Sequence, residues 1–492
     1  MPENSTVTSP SFGISAATAA GPGNPSSHPN LILGICCMSL LLVGMDVTIV
    51  NVALPAIQHD LKSNLSGLQW ILDAYTLVVA SLLMLSGSMS DRFGRRRVFQ
   101  IGLVLFLTGS LLCSLSQSIG QLIAFRAMQG LGASMLNPVA LSIIANAFPN
   151  PKDRARAVGV WGAVAGVSLA IGPLLGGALT QTVGWRSIFW INLPIGLVAV
   201  VLAAKFVPES KAPRARAFDP VGQSLVFVGL ASLTSAVIEG PHAGWTSGLI
   251  LGLFVASAVA LTIFLLYEPR RMDPLVDLRF FRSVPFSSAT LLALCSFASF
   301  AGFLFLNVLY LQQVRGLSAF YTGLCTLPLA LMMMVFAPVS GRLVGNYGTR
   351  LPLLAAGAGF LLSALMLTHL TIDTRVTYLL LVYALFGVGL GMVNPAITNS
   401  AVAGMPLSQA GVAAAIASTG RQVGAALGVA VAGTVVAASH AKGLDFTKAT
   451  HPIWWIMTGC GAVVLVLGWV SSTPWAQAST ERVAHLLGEQ MR

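Results

Sequence analysis

Four ionisable residues lie within long apolar runs of this sequence: Asp46, Asp73, Arg126 and Arg421. In a membrane, an ionisable side chain costs about 3 kcal/mol or more unless it is paired or solvated, so such residues mark proton relays and substrate pathways. The sequence contains no phosphate-binding loop, no cluster of metal ligands and no nucleophile with a neighbouring base. We therefore expect no metal, no cofactor and no enzymatic reaction, and an ion or solute gradient across a membrane as the source of energy.

The elements that carry these residues are apolar helices. Of the 492 residues, 55% are hydrophobic and 9% are charged, whereas soluble proteins average about 25% charged residues. Mean hydropathy is +0.81, and apolar runs of about 20 residues, enough to cross a bilayer, recur from residue 31 to residue 472. The sequence predicts an all-α polytopic membrane protein surrounded by lipid, and it excludes nucleic-acid binding as the meaning of the net charge of +11.

Charged, glycine-rich and proline-rich stretches divide the apolar sequence into fourteen predicted spans. They cover residues 31–57, 68–88, 98–117, 119–148, 157–181, 187–207, 220–238, 249–267, 286–311, 320–341, 351–370, 377–402, 411–438 and 453–472. An even number of spans places both termini on one side of the membrane. Nineteen Lys and Arg residues then lie on the side of the termini and six on the other, so the positive-inside rule predicts cytoplasmic termini in an inner membrane.

Two similar loops indicate an internal duplication. Residues 87–97 follow the second span and residues 341–350 follow the tenth, with the same spacing of seven between two glycines. We predict two six-helix bundles, 31–207 and 286–475, separated by an inserted helix pair within residues 208–285. Residues 1–30 and 476–492 are predicted as cytoplasmic tails, the first of them disordered. Two six-helix halves around a central cavity are typical of secondary transporters.

Five segments of the first half resemble the major facilitator superfamily, and in particular its fourteen-helix drug:proton antiporters. They are residues 45–55, 87–97, 122–133, 162–177 and 185–196, with looser matches at 341–350 and 420–428 in the second half. The resemblance implies the major facilitator fold, a small-molecule substrate and coupling to protons. The predicted direction of transport rests on the glycine–proline pattern of the fifth span, which in this superfamily is typical of exporters.

Asp46 and Arg126 are the predicted proton-coupling pair. At about 1.5 Å per helical residue, Asp46 lies roughly 16 Å and Arg126 roughly 10 Å from the outer ends of their spans, within the reach of an arginine side chain. A carboxylate that exchanges Arg126 for a proton provides the alternation that proton coupling requires. A static structural ion pair is the alternative interpretation.

Asp73 lies closer to the outer end of its span, at a depth of roughly 8 Å. It could attract cations, bind a proton or be a solvated charge, and resemblance to exporters of quaternary ammonium and lipophilic cations favours the first role. The second half has no acid within its spans, which disfavours dicationic substrates. Its polar residues predicted to bind substrate are Asn307, Gln312, Asn394 and Arg421. Arg421 either meets an anionic substrate group or is structural.

Two further features are predicted to act in conformational change. The loop after the second span is a candidate gate latch, in which a carboxylate caps a helix or pairs with arginines while two glycines allow a tight turn. Its residues are Gly87, Asp91, Arg92, Gly94 and Arg95. In the fifth span, small residues permit close helix packing and a proline bends the helix. These residues are Gly162, Gly166, Gly172, Pro173, Gly176 and Gly177. The alternatives are an orientation signal for the loop and generic packing for the helix.

The sequence as a whole predicts a monomeric inner-membrane transporter that exports amphipathic drugs or toxic compounds in exchange for protons. One rival is a dedicated exporter of a single metabolite or antibiotic, including an anionic one. A second rival is a non-transporting sensor or scaffold. The costly buried charges of Asp46 and Arg126 argue against that second rival, because a scaffold has no need of them.

Overall fold

The computed structural model describes residues 28–211, 219–271, 274–405, 407–440 and 443–488. These residues form no β-strand, and fourteen spans among them are long and apolar enough to cross a membrane. The helices are α1 (Pro29–Leu61), α2 (Leu65–Phe93), α3 (Arg95–Ser114), α4 (Ile119–Ala147), α5 (Pro151–Thr182), α6 (Ser187–Trp190), α7 (Asn192–Phe206), α8 (Pro220–Ala243), α9 (Gly248–Tyr267), α10 (Val284–Leu309), α11 (Ala319–Tyr347), α12 (Arg350–Leu367), α13 (Val376–Val402), α14 (Leu407–His440), α15 (Phe446–Val470) and α16 (Pro474–Gly488). The predicted all-α fold with fourteen spans is confirmed. Because α6 and α7 share the sixth span, the seventh to fourteenth spans are α8 to α15.

The observed helices coincide with the predicted spans but mostly extend beyond them. Capping side chains explain several starts: Asn64, Ser118 and Ser318 each accept a hydrogen bond from a backbone N–H in the first turn of α2, α4 and α11. At its other end, α10 continues into a short π-helix over Tyr310–Val314. The helical conformation thus continues past the apolar runs from which the spans were predicted.

The two bundles are built alike. Helices α1–α7 pack into one and α10–α15 into the other. Gly172 and Gly176 of α5 lie against α1, and Gly424 and Gly428 of α14 lie against α10 in the same manner. A Cβ atom at any of these four positions would overlap atoms of the neighbouring helix, so each glycine permits a close helix–helix approach.

The inserted helices α8 and α9 pack against each other, and α8 also contacts α2 and α14, which belong to different bundles. Helix α9 exposes large apolar side chains, including Leu249 (63%) and Val255 (60%). An exposed apolar surface of this kind suits contact with lipid. The inserted pair therefore has a lipid-facing helix, α9, and a helix that contacts both bundles, α8.

The segment predicted as the second tail contains a further helix, α16, which packs against the second bundle. Ser479 Oγ accepts a hydrogen bond of 2.9 Å from the backbone N–H of Val284, at the start of α10. The Thr480 side chain lies close to Gly404, and Val483 is buried. The first predicted tail lies outside the described residues except for residues 28–30.

The bundles meet on one side of the membrane. We call the side at which α1 begins and α15 ends the tail side, and the opposite side the far side. At the far side, Gln69 Nε2 of α2 donates to the carbonyl oxygens of Val429 (3.3 Å) and Ala430 (2.8 Å) in α14. Gln312 Nε2 donates to the carbonyl oxygen of Val52 in α1 at 2.8 Å. These bonds join the two bundles, so the far side is closed.

The tail side is open between α5 and α11. Of the α5 glycines that face α11, Gly166 is the one nearest the tail side that still meets this helix; a Cβ atom there would lie 3.4 Å from Met334 Cα. The next glycines towards the tail side lie on the same helical faces: Gly162 and Gly159 of α5, and Gly341 of α11. A Cβ atom at any of these positions would have no other atom within 4 Å. The structure is therefore a conformation that is open at the tail side and closed at the far side.

Candidate proton-coupling site

Asp46 of α1 and Arg126 of α4 form an ion pair inside the first bundle. Arg126 Nη1 donates to Asp46 Oδ2 at 2.5 Å, and the exposed fractions of Arg126 and Asp46 are 1% and 0%. Removing one member of a buried pair leaves an uncompensated charge, which costs about 3–5 kcal/mol. The structure thus brings together the two residues that the sequence predicts as a pair, while their part in proton coupling stays a prediction.

Two amide side chains complete the contacts of the Asp46 carboxylate. Gln129 of α4 donates to Asp46 Oδ1 at 2.8 Å and accepts from Arg126 Nη1 at 2.8 Å, which closes a ring of three residues. Asn192, the first residue of α7, donates to the same Asp46 oxygen at 3.3 Å and to Ser110 Oγ of α3 at 3.0 Å. All of these groups are buried. Both carboxylate oxygens accept hydrogen bonds, as an ionised carboxylate does.

Arg126 is also held by groups other than Asp46. Its Nε atom donates to the carbonyl oxygen of Ile71 at 3.2 Å, and its guanidinium carbon lies 4.3 Å from the centre of the Tyr75 ring. The second contact is a cation–π interaction. Together with Gln129, these contacts keep the guanidinium in place if Asp46 takes up a proton. The site can therefore change the charge of its carboxyl group without losing its arginine.

Asp73 lies on a different face of α2 from Ile71 and Tyr75, the two residues that contact Arg126. It follows Gln69 by one helical turn, and Gln69 faces α14. The exposed fraction of Asp73 is 0%, and neither of its carboxylate oxygens has a hydrogen-bond partner among the described residues. The interpretation of Asp73 as a solvated charge is therefore wrong for this conformation. Because Asp73 shares a face of α2 with Gln69, separation of α2 from α14 would give water or a ligand access to this face.

Two of the four polar residues predicted to bind substrate in the second half are engaged elsewhere in this conformation. The hydroxyl of Tyr383 in α13 donates to Asn307 Oδ1, and Asn307 is buried. Gln312 lies in the π-helical turn and binds α1 at the closed far side. Its predicted contact with substrate is thus replaced here by a contact between the two bundles.

Arg421 and Asn394 lie where α14 meets α13. Arg421 Nη1 donates to Thr398 Oγ1 at 3.5 Å, and Thr398 follows Asn394 by one helical turn. Within the described part of the chain, Arg421 forms no ion pair. Among the described residues, no carboxylate therefore neutralises its guanidinium.

The loop after the second span differs from its prediction in two respects. Gly87 is not part of a turn, because α2 continues to Phe93 and only Gly94 separates it from α3; Gly94 has a positive φ of 114°. Asp91, near the end of α2, pairs with Arg95, the first residue of α3, at 3.0 Å. The carboxylate that caps α3 is instead Glu209, which accepts from the backbone N–H groups of Arg96 and Arg97 at 3.1 and 3.3 Å. Arg92 lies against the Phe93 ring at 5.9 Å.

The residues of the predicted antiporter helix point in three directions. Gly172 and Gly176 face α1, whereas Gly166 and Gly177 face α11 of the other bundle. Pro173 lies inside α5, and its carbonyl oxygen is close to Gly323 of α11. Gly162 faces the open space on the tail side. Helix α5 therefore packs closely against other helices on two faces, one within the bundle and one between bundles, and its part in antiport stays a prediction.

Gln129, Asn192 and Ser110 were missed as members of the site. Gln129 follows Arg126 by three residues and therefore lies on the same helical face, so a buried amide one turn from a buried charge was a usable signal. Asn192 lies within one of the segments that carry the family resemblance. Ser110 is one of many serines in apolar runs, and nothing in the sequence separates it from the others.

The donor set of this site suits proton exchange better than metal binding. In the parts of the chain that the structure covers, no group of three or more His, Cys, Asp or Glu side chains could hold a metal ion. Asp46 supplies the network's carboxylate, and its two oxygens already accept from Arg126, Gln129 and Asn192. A proton can be added to this carboxylate with a small rearrangement of these donors.

Comparison with known proteins identifies relatives of this chain. The multidrug resistance protein Stp of Mycobacterium tuberculosis is 39% identical over 402 residues, which cover 82% of this chain and 74% of Stp. The tetracenomycin C resistance and export protein of Streptomyces glaucescens is 38% identical over 404 residues, which cover 81% and 74%. The drug efflux pump JefA of M. tuberculosis is 34% identical over 413 residues, which cover 84% and 81%.

Solved structures support the fold. A POT family transporter in complex with a thioalcohol-conjugated peptide has a TM-score of 0.63 at 17% identity and covers 89% of this chain and 94% of that one. A D-xylose-proton symporter has a TM-score of 0.62 at 16% identity, with coverage of 89% and 97%. The profile of the Major Facilitator Superfamily matches residues 36–429. The chain is therefore a multi-pass membrane transporter that belongs to the major facilitator superfamily.

Proposed function

We propose that this transporter exports small amphipathic compounds, of the drug or antibiotic type, in exchange for protons, and that Asp46 carries the exchanged proton. The observation that supports this most directly is the buried Asp46–Arg126 pair, in which the arginine keeps other partners when Asp46 is neutral. The relatives are named as drug-efflux and antibiotic-resistance proteins, which supports an exported substrate of this class.

The proposed coupling step is an exchange of partners at Asp46. In the tail-open conformation Asp46 is ionised and bound by Arg126, Gln129 and Asn192. When the far side opens, a proton from that side neutralises Asp46, and Arg126 remains on Ile71 and Tyr75. The neutral carboxyl group binds the guanidinium less strongly, so α1 and α4 can shift relative to each other. Return to the tail-open conformation releases the proton and restores the ion pair.

Orientation follows from the charge distribution of the sequence. With the termini in the cytoplasm, as the positive-inside rule favours, the tail side is cytoplasmic and the described conformation faces inward. Substrate then enters the cavity from the cytoplasm or the inner leaflet and leaves when the far side opens. The chain acts as a monomer in this proposal, because one chain holds both bundles and the complete ion-pair network.

Asp73 is proposed to bind the cationic group of a substrate on its way out. The residue is buried and unpartnered while α2 and α14 are in contact, and it becomes available when they part. A buried charge without a partner is unfavourable. The Asp73 carboxylate, which has no partner among the described residues, therefore gains one when a cation approaches.

A second candidate is export of a single acidic metabolite or antibiotic, for which Arg421 is the supporting observation. Its guanidinium has one long hydrogen bond to Thr398 and no carboxylate partner in the described structure. If this candidate is correct, the wild-type protein exports the acid but no cation, and Arg421→Gln abolishes export of the acid. A growth screen of an exporter-deficient host against cations, neutral compounds and acids separates the two candidates.

The gate residues complete the proposal. The Asp91–Arg95 pair and the Glu209 cap hold the junction between α2 and α3 at the tail side. Gly166 and Gly177 allow α5 and α11 to slide past each other during the movement of the bundles. This part of the proposal places the movement of the bundles at the interface between them.

The decisive experiment is the substitution Asp46→Asn in proteoliposomes with an imposed pH gradient. The amide keeps the shape of the side chain but cannot exchange a proton, so uphill export should be lost while substrate binding and downhill exchange persist. Asp60→Asn is the matched control, because Asp60 lies on the same helix, is 47% exposed and pairs with Arg186 at the surface. If Asp46→Asn protein concentrates substrate at the wild-type rate, Asp46 is structural and the proposal is wrong.

A further inference from the structure

The inserted helix α8 is fastened to the first bundle by a carboxylate. Glu239, near the far-side end of α8, accepts hydrogen bonds from Ser66 Oγ (2.8 Å) and Trp70 Nε1 (2.9 Å), both in the first two turns of α2. One oxygen, Oε1, accepts both bonds, and Glu239 is half-buried. Hydrogen bonds to an ionised acceptor are roughly twice as strong as neutral ones.

The same turn of α8 touches the second bundle through a weaker bond. The carbonyl oxygen of Val237 accepts from Thr434 Oγ1 of α14 at 2.6 Å. Between these two contacts, Gln69 of α2 binds the backbone of α14 directly, and its side chain fills the space beside Gly433. Three helices, α2, α8 and α14, therefore meet in one polar cluster at the closed far side.

Opening of the far side must break part of this cluster. Helices α2 and α14 belong to different bundles, so they separate when the cavity opens there. Helix α8 cannot follow both of them. Its attachment to α2 uses two bonds to a carboxylate, whereas its attachment to α14 uses one bond between a hydroxyl and a carbonyl group.

We propose that the inserted pair α8–α9 moves with the first bundle, and that Glu239 is the positioning residue that fixes it there. By holding α8 on α2, Glu239 presents the Val237 carbonyl to Thr434 each time the far side closes. The far-closed conformation is thereby stabilised by a helix that belongs to neither six-helix bundle. This inference rests on the alternating movement of the bundles in the proposed function.

Covalent tethers test which bundle the pair follows. In a full-length background with the six native cysteines replaced, one variant carries Ser66→Cys and Glu239→Cys and another carries Val237→Cys and Thr434→Cys. Each pair is joined with a short bifunctional thiosulfonate reagent and assayed in proteoliposomes before and after reduction. The α2–α8 tether should leave at least about half of the transport, while the α8–α14 tether should reduce transport about tenfold, with recovery on reduction.

Three results of the tether experiment would overturn the inference. If only the α2–α8 tether blocks transport, the pair moves with the second bundle. If both tethers block, α8 changes its position relative to both bundles. If neither blocks, the far-side cluster does not separate during transport. Failure of the untethered protein to transport in exchange for protons would instead refute the proposed function, which keeps the two cases distinct.

A labelling experiment tests Glu239 without any need for transport. Gly341 faces the open tail side, so Gly341→Cys should react readily with a water-soluble maleimide in purified protein. Glu239→Leu should slow this reaction several-fold, because the far-closed, tail-open conformation loses a support. Glu239→Gln should restore it, since an amide oxygen can accept both bonds. Glu481→Leu, at an exposed acid of α16, is the matched control. Unchanged labelling in Glu239→Leu, or no recovery in Glu239→Gln, would contradict the role.

Discussion

The two bundles use the same helix pairs for different chemistry. In the first bundle, α1 and α4 are joined by the charged pair Asp46–Arg126. In the second, the corresponding helices α10 and α13 are joined by the neutral pair Asn307–Tyr383. The glycine contacts of α5 with α1 and of α14 with α10 are alike in both bundles. The difference therefore lies in the polar groups and not in the scaffold that carries them.

Under the proposed function, this asymmetry places the response to protons in one half of the molecule. A neutral pair of an amide and a phenol has no group that changes charge near neutral pH, whereas the pair in the first bundle consists of an aspartate and an arginine. In the second bundle, Arg421 faces the protein without a carboxylate partner among the described residues. The difference between the bundles is explained most simply if the first bundle couples transport to protons and both bundles bind the substrate.

Of the substitutions considered, Arg126→Gln should have the largest effect on proton-driven export. It leaves Asp46 buried with only amide donors, an arrangement that costs about 3–5 kcal/mol when the carboxyl group is ionised. Asp46 then keeps its proton in both conformations, and uphill export should fall about tenfold or more. Transport under an imposed pH gradient, together with the unfolding midpoint of the purified protein, measures both effects.

Arg186→Gln is the control for Arg126→Gln, because Arg186 forms an ion pair with Asp60 in a partly exposed position. Exposed pairs contribute about 0–1 kcal/mol, so this variant should keep both stability and export. If stability and export fell equally in the two variants, burial of the Asp46–Arg126 pair would have no special role.

Gly177→Val and Gly428→Val should separate the interface between bundles from the packing within one. A Cβ atom at Gly177 would overlap the Ala319 backbone of the other bundle, whereas a Cβ atom at Gly428 would overlap the Ala298 backbone of its own. Overpacking costs about 1–3 kcal/mol at either site. Gly177→Val should slow transport about tenfold, at about 1.4 kcal/mol per factor of ten, and Gly428→Val should mainly lower the unfolding midpoint. The reverse pattern would place the moving surface inside the second bundle.

Asp73→Asn should alter selectivity more than stability. Asp73 has no hydrogen-bond partner among the described residues, so its charge can be removed without breaking an observed bond. Loss of about 1 kcal/mol of attraction for a cation corresponds to about a fivefold fall in export of cationic compounds. Neutral compounds should be exported at nearly the wild-type rate. An equal fall for both classes would indicate a proton-binding role for Asp73 instead.

The fold was predictable because hydrophobic length is a strong signal. A run of about 20 apolar residues has few alternatives to a membrane-spanning helix. The ends of the helices were less predictable, since helices such as α2 and α11 continue past the apolar run into polar sequence. This is why Gly87 was assigned to a loop but lies in a helix. Glu209 could not be foreseen as the cap of α3, because it lies 113 residues away from Arg96 in the chain.

The site was predictable only in its charged members. Asp46 and Arg126 stand out because charges in apolar runs are rare. Ser110 and Asn192 do not stand out, because neutral polar residues are common in membrane helices and their partners come from other helices. The position of Gln312 depends on the conformation, since it binds α1 only while the far side is closed. A sequence alone contains no information about which conformation is populated.

Tyr383→Phe gives the smallest expected effect and the sharpest test of the asymmetry. It removes one hydroxyl and leaves Asn307 Oδ1 without its donor in a buried position, which costs about 1–3 kcal/mol of folding free energy. The unfolding midpoint should therefore fall, while proton-driven export stays within about twofold of wild type, since no titrating group near neutral pH is lost. Both quantities can be measured with the two assays described for Arg126→Gln. If Tyr383→Phe uncouples export as strongly as Arg126→Gln does, the neutral pair of the second bundle takes part in coupling, and the two bundles are not divided in function as proposed.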